Sequence, residues 1–86
     1  KTISFSPKAY NDYIHWFETD KITFSKISFL IIEAARNPFS GKGKPEPLKN
    51  NLSGYWSRRI NEEHRLVYKV NGTILEIVSC KYHYTK

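Results

Sequence analysis

Residues 65–80, RLVYKVNGTILEIVSC, decide the fold of this chain, because they predict two strands joined by a tight turn. Asn71-Gly72 is the strongest short hairpin signal, since both residues tolerate the positive φ angles that such a turn requires. Polar and apolar residues alternate on each side of it, as they do in strands with one buried face. We therefore predict antiparallel strands over 65–70 and 73–82.

The same turn predicts which side chains share a face. A two-residue loop pairs Val70 with Thr73, and Tyr68 then lies opposite Leu75. One face carries Leu66, Tyr68, Leu75 and Ile77, and the other carries Arg65, Val67, Lys69, Glu76 and Val78.

Two helices are predicted before the hairpin. After a short strand over 2–5, Ser6-Pro7 supplies an N-cap and a proline at the first helical position. Thr19-Asp20 ends this helix and caps the next, which Asn37-Pro38 stops. The predicted core faces are Tyr10, Tyr13, Ile14 and Phe17 in the first helix, and Phe24, Ile27, Leu30, Ile31, Ala34 and Ala35 in the second.

Three further apolar residues, Ile22, Phe29 and Ile32, lie on a different face of the second helix. A second apolar face indicates either contact with another molecule or burial under another part of the same chain. Both interpretations stay open from the sequence.

A basic loop and a further strand connect the helices to the hairpin. Residues 41–47, GKGKPEP, are dense enough in glycine and proline to predict no regular structure, and a strand over 55–60 follows. Helices first and strands afterwards indicate an α+β fold, with two N-terminal helices packed on a twisted, mostly antiparallel sheet. At 86 residues the chain fits one domain, residues 1–86.

The composition favours a polyanionic partner. Fourteen Lys and Arg residues against eight Asp and Glu residues give a net charge of +6 at pH 7 and a pI near 9.6. Such an excess suits nucleic acid or an acidic protein, and it also serves solubility alone. No stretch approaches the roughly 18 apolar residues of a membrane span, and no signal-peptide-like leader is present. Cys80 is expected to be the buried, reduced thiol of a cytoplasmic protein.

Candidate site residues surround the loop and the strands. Glu46 stands between two prolines among lysines, which holds its backbone extended in a basic field, although most glutamates of this kind are solvated surface residues. Arg58, Arg59 and Arg65 lie on adjacent predicted strands interleaved with aromatic residues. That pattern is typical of a surface that binds a phosphate backbone and stacks bases.

His83 is the candidate proton donor. The histidines lack metal-ligand spacing, so no metal site is expected. A lone histidine is more often structural, yet an imidazole with an ordinary pKa of about 6.5 donates a proton readily at neutral pH, while a glutamate accepts one. A base, an acid and an arginine are what metal-free RNA cleavage needs. Strict alternation places Tyr84, and not His83, on the face of Arg65, so only a bend at the strand end would bring His83 across.

The segments GKGKPEPLKNNLSGYWSRRINEEHRLVYKV (41–70) and CKYHY (80–84) resemble the YoeB family of ribosome-dependent mRNA endonuclease toxins, within the RelE-like superfamily. The likeness runs from the first strand, through YIHWFETD over 13–20, to Tyr84. It implies a RelE-like, microbial-ribonuclease-like fold with no cofactor.

The resemblance implies a toxin of a type II toxin-antitoxin system that cleaves mRNA in the ribosomal A site, leaves a 2′,3′-cyclic phosphate and a 5′-hydroxyl, and inhibits translation. The implied catalytic residues are Glu46 as general base, Arg65 at the phosphate, His83 as general acid and Tyr84 in support. The implied substrate-binding residues are Lys49, Arg59 and Glu63.

The resemblance also implies partners. These are a YefM-like antitoxin with an acidic tail, the ribosome with its RNA, mRNA, and a second copy of the chain in a homodimer, with no membrane involved. The sequence leaves three alternatives open: a non-catalytic RNA- or ribosome-binding module, a ribonuclease that needs no ribosome, and an inactive relative that represses transcription together with its antitoxin.

Overall fold

Two helices lie against a five-stranded sheet in the computed structural model, which describes residues 1–82. The helices are α1 (Pro7–Thr19) and α2 (Lys21–Arg36). The strands are β1 (Thr2–Phe5), β2 (Glu46–Pro47), β3 (Trp56–Arg59), β4 (Arg65–Asn71) and β5 (Ile74–Ser79), with a 3-10 turn at Asn50–Leu52. The strand order is β1-β5-β4-β3-β2. Since only β1 and β5 pair in parallel within this sheet of the described chain, the predicted α+β fold with a mostly antiparallel sheet is confirmed.

Predicted caps begin both helices. Ser6 Oγ accepts a hydrogen bond from the Ala9 N–H at 3.0 Å. The Asp20 carboxylate accepts from the Thr23 hydroxyl at 2.7 Å and from the Thr23 N–H at 3.1 Å, and these bonds hold the pKa of Asp20 below its ordinary value. No helix within residues 1–82 is long and apolar enough to cross a membrane.

The core lies between the helices and one face of the sheet. The stripe predicted for α2 packs there and is confirmed, but the stripe predicted for α1 is wrong at Tyr10 and Phe17, which are 56% and 46% exposed. Instead α1 buries Ala9 and Trp16. The Trp16 indole N–H donates to the Cys80 carbonyl at 2.9 Å, which turns this side of the helix toward β5.

The second apolar face of α2 is open. Ile22, Phe29 and Ile32 are 85%, 51% and 52% exposed, so no part of residues 1–82 buries them. Of the two interpretations left open by the sequence, burial under the same chain is therefore not found in the described residues. An exposed apolar face of this kind is typical of a contact surface.

The β4–β5 hairpin forms in a register two residues away from the predicted one. Tyr68 lies opposite Ile77 and not Leu75, and Gly72-Thr73 form the loop, with Gly72 at a φ of 63°. Asn71 stays in the strand, where its side-chain amide donates to a β5 carboxylate at 3.2 Å. Because the shift is by two residues, the core still receives the predicted side chains.

A short strand lies in the segment predicted to be irregular. β2 pairs with β3 so that Glu46 lies opposite Ser57. The prediction for 41–47 is therefore wrong at its last two residues. The extended backbone that Pro47 imposes on Glu46 also suits an edge strand, where a proline is tolerated.

A bulge at Val78 reverses the alternation of side chains along β5. Tyr68 lies opposite Ile77, but Val67 lies opposite Ser79, which leaves Val78 without a partner in the pairing. The fully buried residues of this segment are accordingly spaced two and then three apart, at Leu75, Ile77 and Cys80. The strand ends at Ser79 and not at the predicted residue 82.

Arg58 is fully buried and ties the sheet to the segment after α2. Its Nε donates to the Tyr68 hydroxyl at 3.0 Å, and Tyr68 donates to the Pro38 carbonyl at 2.6 Å. Burial raises the pKa of Tyr68, although the hydrogen bond and charge of Arg58 oppose this rise. The remaining bonds of the guanidinium go to the carbonyl oxygens of Asn37, Ser40 and Lys42.

Replacing Arg58 with methionine should destabilise the fold strongly. Arg58→Met keeps much of the volume but leaves buried carbonyls without donors, so we expect a loss of about 3 kcal/mol in the free energy of unfolding. Urea unfolding measures this loss. Arg36→Met is the matched control, because Arg36 is an exposed arginine with a 3.8 Å ion pair to Glu33. Equal unfolding midpoints for the two variants would contradict the role of Arg58.

The Cys80 thiol should make stability depend on alkaline pH. Burial, with a smaller effect of the Asp12 charge, raises the pKa of Cys80 from 9.0 to about 12. Between these values the unfolded thiol loses its proton while the folded thiol keeps it, so stability falls as pH rises, by at most about 1.4 kcal/mol per pH unit. Urea unfolding at pH 8 and pH 10 should show a larger loss for the native chain than for Cys80→Ala. Equal losses would contradict this assignment.

Candidate active site

The face of the sheet turned away from the helices carries the predicted general base. Glu46 is exposed on β2 and lies opposite Ser57, which in turn lies opposite Val67 on β4. Because Leu66 and Tyr68 occupy the core side of β4, these three residues form a row across the other side, here called the open face. Glu46 is exposed in this row, whereas Ser57 and Val67 are buried.

Arg59 and Arg65 lie on the open face beside this row. They are opposite one another on β3 and β4, two residues along from Ser57 and Val67. Strand spacings of about 4.8 Å and a rise of about 3.4 Å per residue put the Cα atoms of Glu46 and Arg59 roughly 8 Å apart, and those of Glu46 and Arg65 roughly 12 Å apart. Neighbouring strands thus carry one carboxylate and two guanidinium groups on the same face of the sheet.

The β3–β4 turn orients Arg65. Its Nη1 donates to the carbonyl oxygens of Asn61 at 2.6 Å, His64 at 3.1 Å and Glu62 at 3.3 Å. The Asn61 side-chain oxygen closes the turn by accepting from the N–H groups of Glu63 and His64. Within residues 1–82 the side-chain hydrogen bonds of Arg65 all use Nη1, so its Nε and Nη2 groups can donate to a phosphate.

The three predicted substrate-binding residues are exposed. Lys49 precedes the 3-10 turn, and Arg59 places Nη2 at 3.9 Å from the Glu62 carboxylate. Glu63 lies in the β3–β4 turn with its carboxylate 3.6 Å from Nε2 of His64. Lys49 and Arg59 thus add positive charge around Glu46, while Glu63 contacts the turn itself.

His83 and Tyr84, the predicted acid and its supporting tyrosine, lie outside the described residues. The chain that leads to them is held firmly by α1. The Cys80 N–H donates to the buried Asp12 carboxylate at 3.0 Å, and the Cys80 carbonyl accepts from the Trp16 indole. Lys8 contacts the same carboxylate at 2.9 Å.

The β3–β4 turn holds the next part of this segment. The Tyr82 N–H donates to Nδ1 of His64 at 2.7 Å, and the Tyr82 carbonyl accepts from the Arg65 N–H at 3.1 Å. Tyr82 has a φ of 63°, an uncommon value for a residue with a side chain. The backbone has therefore left strand geometry before His83.

The structure changes the sequence-based interpretation of one arginine, Arg58, and one histidine, His64. Arg58, grouped with Arg59 and Arg65 as a phosphate-binding candidate, is wrong in that role because it is fully buried among carbonyl oxygens. The contact of His64 with the segment before His83 was missed, and its position in a turn gave no signal of it. The bulge in β5 did leave a signal in the sequence. Leu75 and Ile77 are two residues apart, whereas Cys80 follows Ile77 by three.

A cavity of about 390 Å³ adjoins Arg59 at the edge of the sheet. Its walls combine cationic and apolar groups, which suits an anionic ligand with a nonpolar part. The lining residues are Lys26, Phe29, Leu30, Lys42, Gly43, Lys44, Arg59, Asn61 and Glu62. In the part of the chain that the structure describes, no group of three or more His, Cys, Asp or Glu side chains is arranged to hold a metal ion.

Comparison with known proteins gives the same family as the resemblance. Residues 5–84 match the family model for the YoeB-like toxin of bacterial type II toxin-antitoxin systems. Toxin YoeB of Escherichia coli strain K12 is 60% identical over 79 residues, which cover 92% of this chain and 94% of that protein.

Solved structures agree in fold over almost the whole chain. The YoeB/ParE toxin from Agrobacterium tumefaciens has a TM-score of 0.95 at 46% identity, covering 98% of this chain and 100% of that one. YoeB from Staphylococcus aureus, solved as a dimer and in a heterotetrameric complex with YefM, has a TM-score of 0.88 at 52% identity, covering 96% of this chain and 97% of that one. The chain therefore belongs to the YoeB-like toxins of bacterial type II toxin-antitoxin systems.

Proposed function

We propose that this toxin is an endoribonuclease that cleaves mRNA in the ribosomal A site and so inhibits translation in the cytoplasm. One observation carries the proposal: Glu46, Arg59 and Arg65 share the open face of the sheet, where a carboxylate lies beside two guanidinium groups. This combination suits proton removal next to a phosphate.

The reaction uses the ribose itself as nucleophile. Glu46 takes the proton of a 2′-hydroxyl, and the 2′-oxygen attacks the adjacent phosphorus while the bond to the 5′-oxygen breaks. His83 gives a proton to the departing 5′-oxygen. Arg65, with Tyr84 in support, stabilises the added negative charge on the phosphorane. The products are a 2′,3′-cyclic phosphate and a 5′-hydroxyl, and the proton balance closes without a metal or a cofactor.

The bulge at Val78 supports the assignment of the acid. Strict alternation would have put even-numbered residues of β5 on the face of Arg65, but the bulge places Ser79 in the row of Val67. The alternation that favoured Tyr84 over His83 on the face of Arg65 therefore does not apply, because it is broken at Val78 and the strand ends at Ser79.

The charge distribution supports RNA binding. Lys49 and Arg59 are exposed near Glu46, and Lys42 and Lys44 line the cavity beside Arg59. Cations spread along a surface of this kind follow a phosphate backbone more readily than they select a base. Ribosomal RNA and the bound mRNA both present such a backbone, so these residues hold the toxin at the ribosome.

The partners of YoeB in Staphylococcus aureus extend to this chain as part of the proposal. That protein forms a dimer and a complex with YefM. The exposed apolar residues Ile22, Phe29 and Ile32 offer a surface for a second copy or for an antitoxin helix. The net charge of +6 suits an acidic antitoxin segment that competes with RNA for the open face.

Two other functions predict different behaviour of Glu46. A non-catalytic RNA-binding module, or a co-repressor that acts only with its antitoxin, has no use for a base at this position. Loss of a negative charge from a basic surface would then leave RNA affinity unchanged or higher.

Primer extension on translated mRNA with purified ribosomes tests the proposal. Glu46→Gln should lower the cleavage rate by about 10²–10⁴-fold while ribosome binding persists, because a general base contributes a factor of this size. Glu18→Gln is the matched control, since Glu18 is an exposed glutamate on α1. A native chain that sediments with ribosomes but leaves mRNA intact would overturn the nuclease, and cuts in naked RNA would overturn the ribosome requirement.

A further inference from the structure

We propose that His64 is a positioning residue that places the general acid, an inference that rests on the proposed function. Through its ring nitrogen it holds the backbone of Tyr82, the residue directly before His83. Its effect on catalysis is therefore indirect, because it orients the chain that carries the acid.

The geometry defines the chemical state of the His64 ring. Nδ1 accepts the Tyr82 N–H at 2.7 Å. A backbone N–H can only donate, so Nδ1 carries a lone pair and the proton of the neutral ring is on Nε2. The Nε2 atom is 3.6 Å from the Glu63 carboxylate, which favours a proton at that position.

Burial makes the ring a rigid support. His64 is 7% exposed, and Trp16 packs against it edge to face with the ring centroids 4.8 Å apart. The Tyr82 ring lies on another side, at 5.4 Å. Since the backbone of His64 also bonds to Ile60 at 3.0 Å, both the ring and its attachment point are constrained.

The bond from Tyr82 completes a set of four that holds residues 80–82, here called the tail clamp. Asp12 and Trp16 hold the two polar groups of the Cys80 peptide. His64 and the Arg65 N–H hold the two polar groups of Tyr82. The same turn therefore orients the Arg65 guanidinium through its carbonyls and holds Tyr82, the residue before the proposed acid.

Two substitutions separate this role from a general structural one. His64→Asn puts an amide oxygen close to the place of Nδ1 and can still accept from Tyr82. His64→Gln puts its amide one bond further out, near the place of Nε2, and loses that acceptor. Both variants remove the imidazole, so they are matched in lost ring packing.

The measurements are single-turnover cleavage of mRNA on saturating ribosomes, ribosome affinity, and amide hydrogen exchange at Tyr82. His64→Gln should lower the cleavage rate by about 10–10²-fold at unchanged affinity, since a misplaced catalytic group of this kind costs up to about 10²-fold. Tyr82 exchange should accelerate in the same variant. His64→Asn should recover most of the rate and of the protection.

The measurements distinguish failure of the positioning role from failure of the proposed function. Equal rates for His64→Asn and His64→Gln would overturn the positioning role while the nuclease stands, whereas an inactive native chain would overturn both. If His64→Gln does not fold, His64→Asn decides alone. Cleavage at the native rate in a folded His64→Asn variant whose Tyr82 exchange is accelerated would overturn the proposal.

Discussion

The buried Arg58 guanidinium is the constraint on which the placement of the open face depends. It carries a charge into the core of a small domain, and this costs free energy unless every donor finds an acceptor. The acceptors are the Tyr68 hydroxyl in the sheet and carbonyl oxygens of residues 37–42 after α2. Gly43 follows at a φ of 85°, and a side chain there would meet Arg58 and Leu30 at 3.1 Å. Its carbonyl accepts the Arg59 N–H at 2.7 Å, so the loop arrives at β3 in a defined position and delivers Glu46 to the sheet edge.

At the other end of the sheet a second set of bonds controls the chain after β5. Ser6, which caps α1, also donates its hydroxyl to the Val78 carbonyl at 2.9 Å, at the bulge itself. Asp12 and Trp16 of the same helix then hold Cys80, and His64 holds Tyr82. Helix α1 and its cap thus set the path of residues 78–80. Arg65 and residues 80–82 are thus held by two elements, the β3–β4 turn and α1.

Features that rest on local chemistry could be predicted from the sequence, whereas features that depend on tertiary contacts could not. Helix caps at Ser6 and Asp20, the α2 stripe and the hairpin faces follow from short-range patterns, and they are confirmed. The hairpin register and the buried side of α1 depend on contacts that no periodicity encodes, such as the Trp16 bond to Cys80. Arg58 and Arg59 are neighbours of identical type, so nothing local predicts that one is in the core and the other is exposed. Glu46, Arg59 and Arg65 were predicted as site residues from their chemistry and the family resemblance, whereas no sequence pattern indicates the hydrogen bonds of the tail clamp.

In the proposed reaction a ribose 2′-oxygen, activated by Glu46 on the open face, cuts the mRNA. Two programmed mRNAs that differ at one position test it most directly: one carries ribose throughout, and the other a single 2′-deoxynucleotide on the 5′ side of the bond to be cut. Both are offered to ribosomes with the native toxin. If the 2′-oxygen is the nucleophile, the all-ribose mRNA is cleaved with a 2′,3′-cyclic phosphate at the new end, and the deoxy mRNA is not cleaved at that bond. Equal cleavage of the two would mean that another nucleophile attacks the phosphorus, which would contradict the role assigned to Glu46.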